Sequence, residues 1–64
     1  MIKVTRFKAQ EEFILNAELI ETIEETPDTV VTLTSGRKLI VEESMDEMVR
    51  KVMDYRRAIF GKFR

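Results

Sequence analysis

The chain has 64 residues, with 12 acidic and 11 basic side chains, a formal net charge of −1, and neither cysteine nor histidine. That balance offers no general attraction to nucleic acid or anionic lipid. The missing residue types remove disulfides, thiolate ligands and the usual zinc ligands. One domain spanning residues 1–64 is expected. A domain of this size buries only about 60% of its unfolded surface, and its core rarely supplies more than about 3–5 kcal/mol. With disulfides and metal set aside, self-association is the remaining staple, so a homo-oligomer is expected.

The chain opens with Ile2 and Val4 alternating against Lys3 and Thr5, a period of two that reads as a half-buried strand over residues 2–6. This is a strand pattern and not a signal peptide. No apolar run approaches the roughly 20 residues of a membrane span. A cytoplasmic protein is expected. The polar residues from Phe7 to Glu12 read as a turn, and Phe13-Ile14-Leu15 as the returning strand. Asn16 can end it, because its side chain bonds nearby backbone.

Leu19, Ile20 and Ile23 have helical spacing, but Ile20, Thr22 and Ile23 are β-branched and favour a strand. The turn signal Thr26-Pro27-Asp28, with Pro27 presetting the first turn position, and the Val/Thr-rich residues 29–34 decide for a hairpin. Residues 20–25 are therefore read as a strand, bulged near Ile23. Gly36 supplies positive φ for the next tight turn. In the last strand, residues 38–42, Leu39 and Val41 alternate against Lys38 and Ile40. The expectation is an α+β fold: five antiparallel strands in a meander, curled into a small barrel-like sheet, then one C-terminal helix.

Ser44-Met45-Asp46-Glu47 is a capping box, so the helix should run from about Met45 to Phe60 and stop at Gly61. Asp46 and Glu47 sit at the positive end of its dipole. Arg56, Arg57 and Lys62 sit at or beyond the negative end. On a helical wheel Met48, Val52, Tyr55 and Ile59 form one apolar stripe, and Met45, Val49, Met53 and Phe60 a second beside it. Together they span roughly 160°, against about 100° or somewhat more for an ordinary surface helix. Two readings follow. Either the small sheet wraps the helix, or one stripe covers the sheet while the other meets another chain.

Arg56 falls inside the apolar arc. It either lays its stem on apolar surface with its head in water, or pairs with a carboxylate across an interface. Phe60 and Phe63 need burial near the chain end. Packing on the sheet is the simpler outcome, and partner docking or a membrane-surface contact the alternatives. The candidate partner or oligomer interface is Val49, Met53, Arg56, Phe60 and Phe63.

No catalytic constellation is legible. The pairs Glu11-Glu12, Glu24-Glu25 and Glu42-Glu43 point to opposite strand faces and do not converge as two catalytic carboxylates must. Ser35, Ser44 and the threonines have no histidine to activate them. Ser35-Gly36-Arg37 lacks a phosphate-cradling pattern. A non-enzymatic protein without catalytic, metal-binding or cofactor-binding residues is expected.

The residues Asn16-Ala17-Glu18-Leu19-Ile20-Glu21-Thr22-Ile23-Glu24-Glu25-Thr26-Pro27-Asp28-Thr29 carry a resemblance. So do Met1 to Arg6 and the turn Thr32-Leu33-Thr34-Ser35-Gly36-Arg37-Lys38. Over nearly its whole length the chain resembles the FlbD/SwrD family of small bacterial flagellar proteins. The resemblance implies a cytoplasmic accessory protein that supports motor power and swarming. Its partner would be a flagellar motor or basal-body protein such as the stator, at the motor's cytoplasmic face. Membrane contact would be at most peripheral, through that partner. The family's first hairpin turn is usually of Asn-Gly type. Residues 7–11 depart from it and look one residue longer, which implies a looser first loop.

The carbon storage regulator family of RNA-binding proteins shares the Thr5-Arg6 feature and a five-strand-then-helix order. It needs basic residues between the last strand and the helix, where this chain has Glu42-Glu43-Ser44. Like charge repels a phosphate backbone, so no nucleic-acid partner is expected. An RNA-binding regulator and a purely structural homo-oligomer are the alternative functions.

Overall fold

The computed structural model describes residues 1–61 of the chain. The alternation read from the sequence places the strands. β1 (Ile2–Thr5) and β2 (Glu12–Leu15) form an antiparallel hairpin in which Ile2 faces Leu15 and Val4 faces Phe13. β3 (Ile20–Glu25), β4 (Thr29–Leu33) and β5 (Lys38–Val41) form a three-stranded antiparallel sheet in that order. The helix α1 spans Met45–Gly61.

The expected α+β class and strand content are found, but the continuous five-strand meander is not. β2 and β3 do not pair; they lie in separate sheets. The cause lies at Asn16. Its side chain accepts the Glu18 N–H at 3.1 Å and starts a single 3-10 turn, Ala17–Leu19, that carries the chain out of the first sheet. Ala17 is buried by that turn. β1 instead approaches β5. An isolated bridge joins Arg6 to Val41, with the Glu42 N–H donating to the Thr5 carbonyl at 2.8 Å and the Phe7 N–H to the Ile40 carbonyl at 3.0 Å. The strands therefore wrap into an open cup and not a closed barrel.

Two local expectations are also corrected. The register of β3 against β4 shifts between Ile20 and Thr22, which puts the bulge at Glu21 and not at Ile23. Ile23 keeps its regular pairing and turns inward, where burial rewards it. The Thr26–Pro27–Asp28 segment turns the chain between β3 and β4, with the Thr26 N–H donating to the Asp28 carbonyl at 3.2 Å. The first loop is anchored, not loose. Arg6 N–H donates to the Glu11 carbonyl at 2.8 Å, and Lys8 N–H to a Glu42 carboxylate oxygen at 2.8 Å. Lys8 and Gln10 hold positive φ angles of 66° and 51° to make that path.

The core is built from Ile2, Val4, Leu15, Ala17, Val31, Leu33 and Val41 of the cup, closed by Met48 of α1. Phe13, Ile20, Ile23, Leu39, Val52 and Tyr55 pack around them. Leu39 and Val41 turn inward and Lys38 and Ile40 outward, as their alternation requires. Met48 is 0% exposed. Burying a side chain of that kind contributes about 1.5–3 kcal/mol, a large share for so small a domain.

Candidate interaction surface on the closing helix

The start of α1 is held on several sides. Ser44 and Glu47 form the expected capping box, with the Glu47 N–H donating to Ser44 Oγ and the Ser44 N–H to Glu47 Oε1, both at 3.1 Å. Glu25, at the end of β3, reaches across to accept the Met45 N–H at 2.9 Å. Just before the helix, Glu43 accepts the Thr5 N–H and the Thr5 hydroxyl, both at 2.9 Å. Burial pushes the Glu43 pKa up, but the Thr5 hydrogen bonds and the charge of Lys51 outweigh it, and the net pKa is lowered. Helix, β1 and β3 are thus pinned at one corner, and the roll of α1 about its axis is set there.

That roll decides which stripe is covered. Met48, Val52, Tyr55 and Ile59 face the cup, Met48 fully buried and the others half-buried. The second stripe stands in solvent, with Val49 48%, Met53 53% and Phe60 67% exposed, and Met45 beside them. Of the two readings of the wide apolar arc, the structure has the one in which a single stripe meets the sheets. Phe60 does not pack on the sheet as the simpler expectation had it.

The structure brings four of the five candidate residues together along one face: Val49, Met53, Arg56 and Phe60 are all exposed. Phe63, the fifth, lies outside the described residues, as does Lys62. Arg56 lines a small cavity of about 90 Å³ with Glu18, Ile59 and Phe60, and among the described residues it makes no ion pair. Leu19, next to Glu18, is also exposed. Arg56 and Arg57 lie one turn back from the helix end, and the last described turn holds no basic residue.

A second surface was not anticipated. Glu24, Thr26, Val30, Lys38 and Ile40 line a shallow depression of about 340 Å³ on the outer face of the three-stranded sheet. Its signal in the sequence is Ile40, an apolar residue at an outward position of β5. On the other hairpin, Arg6 lies 4.7 Å from the Phe13 ring centroid and pairs with Glu11 at 3.6 Å. Among the described residues no three His, Cys, Asp or Glu side chains group to hold a metal, and no helix is long and apolar enough to cross a membrane.

Fold and surface together define a small α+β domain whose closing helix carries an apolar, arginine-bearing face left uncovered by the rest of the described chain. The chain belongs to the FlbD family of flagellar and swarming motility proteins, whose family model matches residues 1–60. The resemblance drawn from the strand and turn residues is thereby shown. No curated protein and no solved structure matches the chain significantly.

Proposed function

We propose that this protein serves flagellar and swarming motility without catalysis, by docking the exposed stripe of α1 onto a protein of the flagellar motor or basal body. Its place is then the cytoplasmic face of the motor, and any membrane contact comes through that partner. The observation that supports this reading is the exposure of Val49, Met53 and Phe60 on a helix whose roll is already set by Glu25, Glu43 and the capping box. Among the described residues nothing covers the second stripe, and a helix so held does not turn it inward, so a second molecule is its natural cover. Contiguous exposed apolar surface of this kind marks interaction sites. Each Å² removed from water contributes about 25 cal/mol. Arg56 in the middle of the face suits a contact that mixes apolar burial with one charged anchor.

An RNA-binding role finds less support. The strand–helix junction is acidic, and Glu42 and Glu43 already accept hydrogen bonds from Lys8 and Thr5. The test of the motility reading is a Met53→Glu chain expressed at the natural level in motile cells. Swarming should fall sharply, and a tagged chain should no longer retrieve motor or basal-body components. Wild-type swarming by this variant would sink the proposal.

A further inference from the structure

The charge pattern along α1 names an occupant for the exposed stripe. Placed at roughly 100° per residue, Asp46 and Arg57 are the charged residues nearest the stripe on the side away from the cup, at opposite ends of the helix, with Arg50 farther round between them. Both ends of the stripe are apolar, Met45 at one and Phe60 at the other, and both residues are exposed. A face that is apolar along its length, acidic at one border end and basic at the other is complementary to itself when reversed.

We propose that in the free protein this stripe is covered by a second copy of the same chain, with the two α1 helices packed antiparallel about a two-fold axis near Met53. Met45 of one copy then lies opposite Phe60 of the other, and Val49 opposite Arg56. A two-fold of this kind brings matching borders together. Asp46 of one copy therefore comes within about 3 Å of rise, two residues, of the level of Arg57 in the other, and the pair forms twice. Asp54 competes for Arg57 only weakly, at 3.6 Å and with both side chains in solvent. In a parallel pair the two-fold runs along the helices and puts the matching borders on opposite sides of the seam, so Asp46 and Arg57 find no charged partner there. Antiparallel packing also opposes the helix dipoles. A motor partner then gains the stripe by displacing the second copy. The inference rests on the reading of the stripe as a docking surface.

The experiment is sedimentation of the full chain from micromolar to high micromolar concentration, with folding of each variant checked by circular dichroism. The wild type should dimerise. Asp46→Lys and Arg57→Glu should each weaken self-association on the order of tenfold or more, since both add like-charge contacts at two places. The doubly substituted chain should regain it, and an equimolar mixture of the two single variants should form a mixed dimer. A wild type that stays monomeric at high micromolar concentration overturns the proposal. So does a dimer insensitive to the charge changes, or one not restored by combining them. If the monomer instead sediments with phosphatidylglycerol vesicles, a lipid surface is the occupant and the second copy is not. The two readings fail separately: a monomeric wild type whose Met53→Glu variant cannot swarm removes only the second copy. A charge-sensitive dimer whose Met53→Glu variant swarms normally removes only the motor contact.

Discussion

Thr5 and Glu43 are 38 positions apart, yet one carboxylate takes both the backbone N–H and the side-chain hydroxyl of Thr5, each at 2.9 Å. This contact ties the end of β1 to the segment that launches α1. It stands beside the bridge between Arg6 and Val41 that joins the two sheets. The same corner carries the Glu25 carboxylate on the Met45 N–H. Acidic residues that look like solvated strand surface in the sequence are, in three dimensions, the clamps that orient the helix.

Glu43 gives the domain an acid-side sensitivity. Its folded pKa is below the ordinary carboxylate value of 4.5. A group depressed on folding stabilises the protein above its unfolded pKa, and that contribution is lost as pH falls through the folded value. The melting temperature should therefore decline as pH drops below the ordinary carboxylate range. Glu43→Gln should flatten that decline. Thr5→Val, which removes the hydroxyl donor, should cost about 1 kcal/mol at neutral pH. Thermal melts between neutral and acidic pH check this; a Glu43→Gln melt curve parallel to the wild type across that range contradicts it.

The two stripes of α1 should respond to truncation very differently. Met48→Ala opens a cavity where the helix closes the core and should cost about 2–5 kcal/mol. That approaches the whole stability of a domain this small, so the variant should be largely unfolded at room temperature. Met53→Ala, on the exposed stripe, should lie within about 0.5 kcal/mol of the wild type in the monomer. Urea titrations at concentrations too low for self-association read both. Equal losses would mean that the stripe assignment is wrong.

Left-handed backbone in the two tight loops predicts opposite signs. Gly36 has φ of 92° with no atom within 4 Å of where a Cβ would stand. Gly36→Ala should therefore pay for conformation alone, about 1 kcal/mol. Gln10 already holds φ of 51° with a side chain that points to solvent. Gln10→Gly relieves that cost, partly offset by the added freedom of the unfolded chain, and should stabilise by about 0.5 kcal/mol. Denaturant midpoints of the pair decide it, and the same sign for both would contradict the loop geometry.

Much of the architecture was legible because it rests on local rules. The alternation of Ile2 with Val4 and of Leu39 with Val41 reports which strand face is buried, and each pair turns inward. The Ser44–Glu47 box announced the helix start to the residue. The break between β2 and β3 was harder to see. Asn16 marked a strand end, but whether the chain returns to the same sheet depends on where Arg6 and Val41 meet, and no local signal encodes that. Lys8 and Gln10 gave no warning of positive φ, since neither residue type favours it.

By itself, the sequence determined that this is a small α+β domain of the flagellar and swarming motility family, with a helix apolar over more of its surface than one sheet contact needs. Both results follow from residue order alone: periodicity is local, and family likeness is a pattern along the chain. Only the tertiary structure decided which stripe is spent on the core and which is left in solvent. That choice depends on the roll of the helix, and the roll is set by Thr5, Glu25 and Glu43, which the chain brings to one corner only after the strands have folded. The exposure of Val49, Met53, Arg56 and Phe60 follows from that corner.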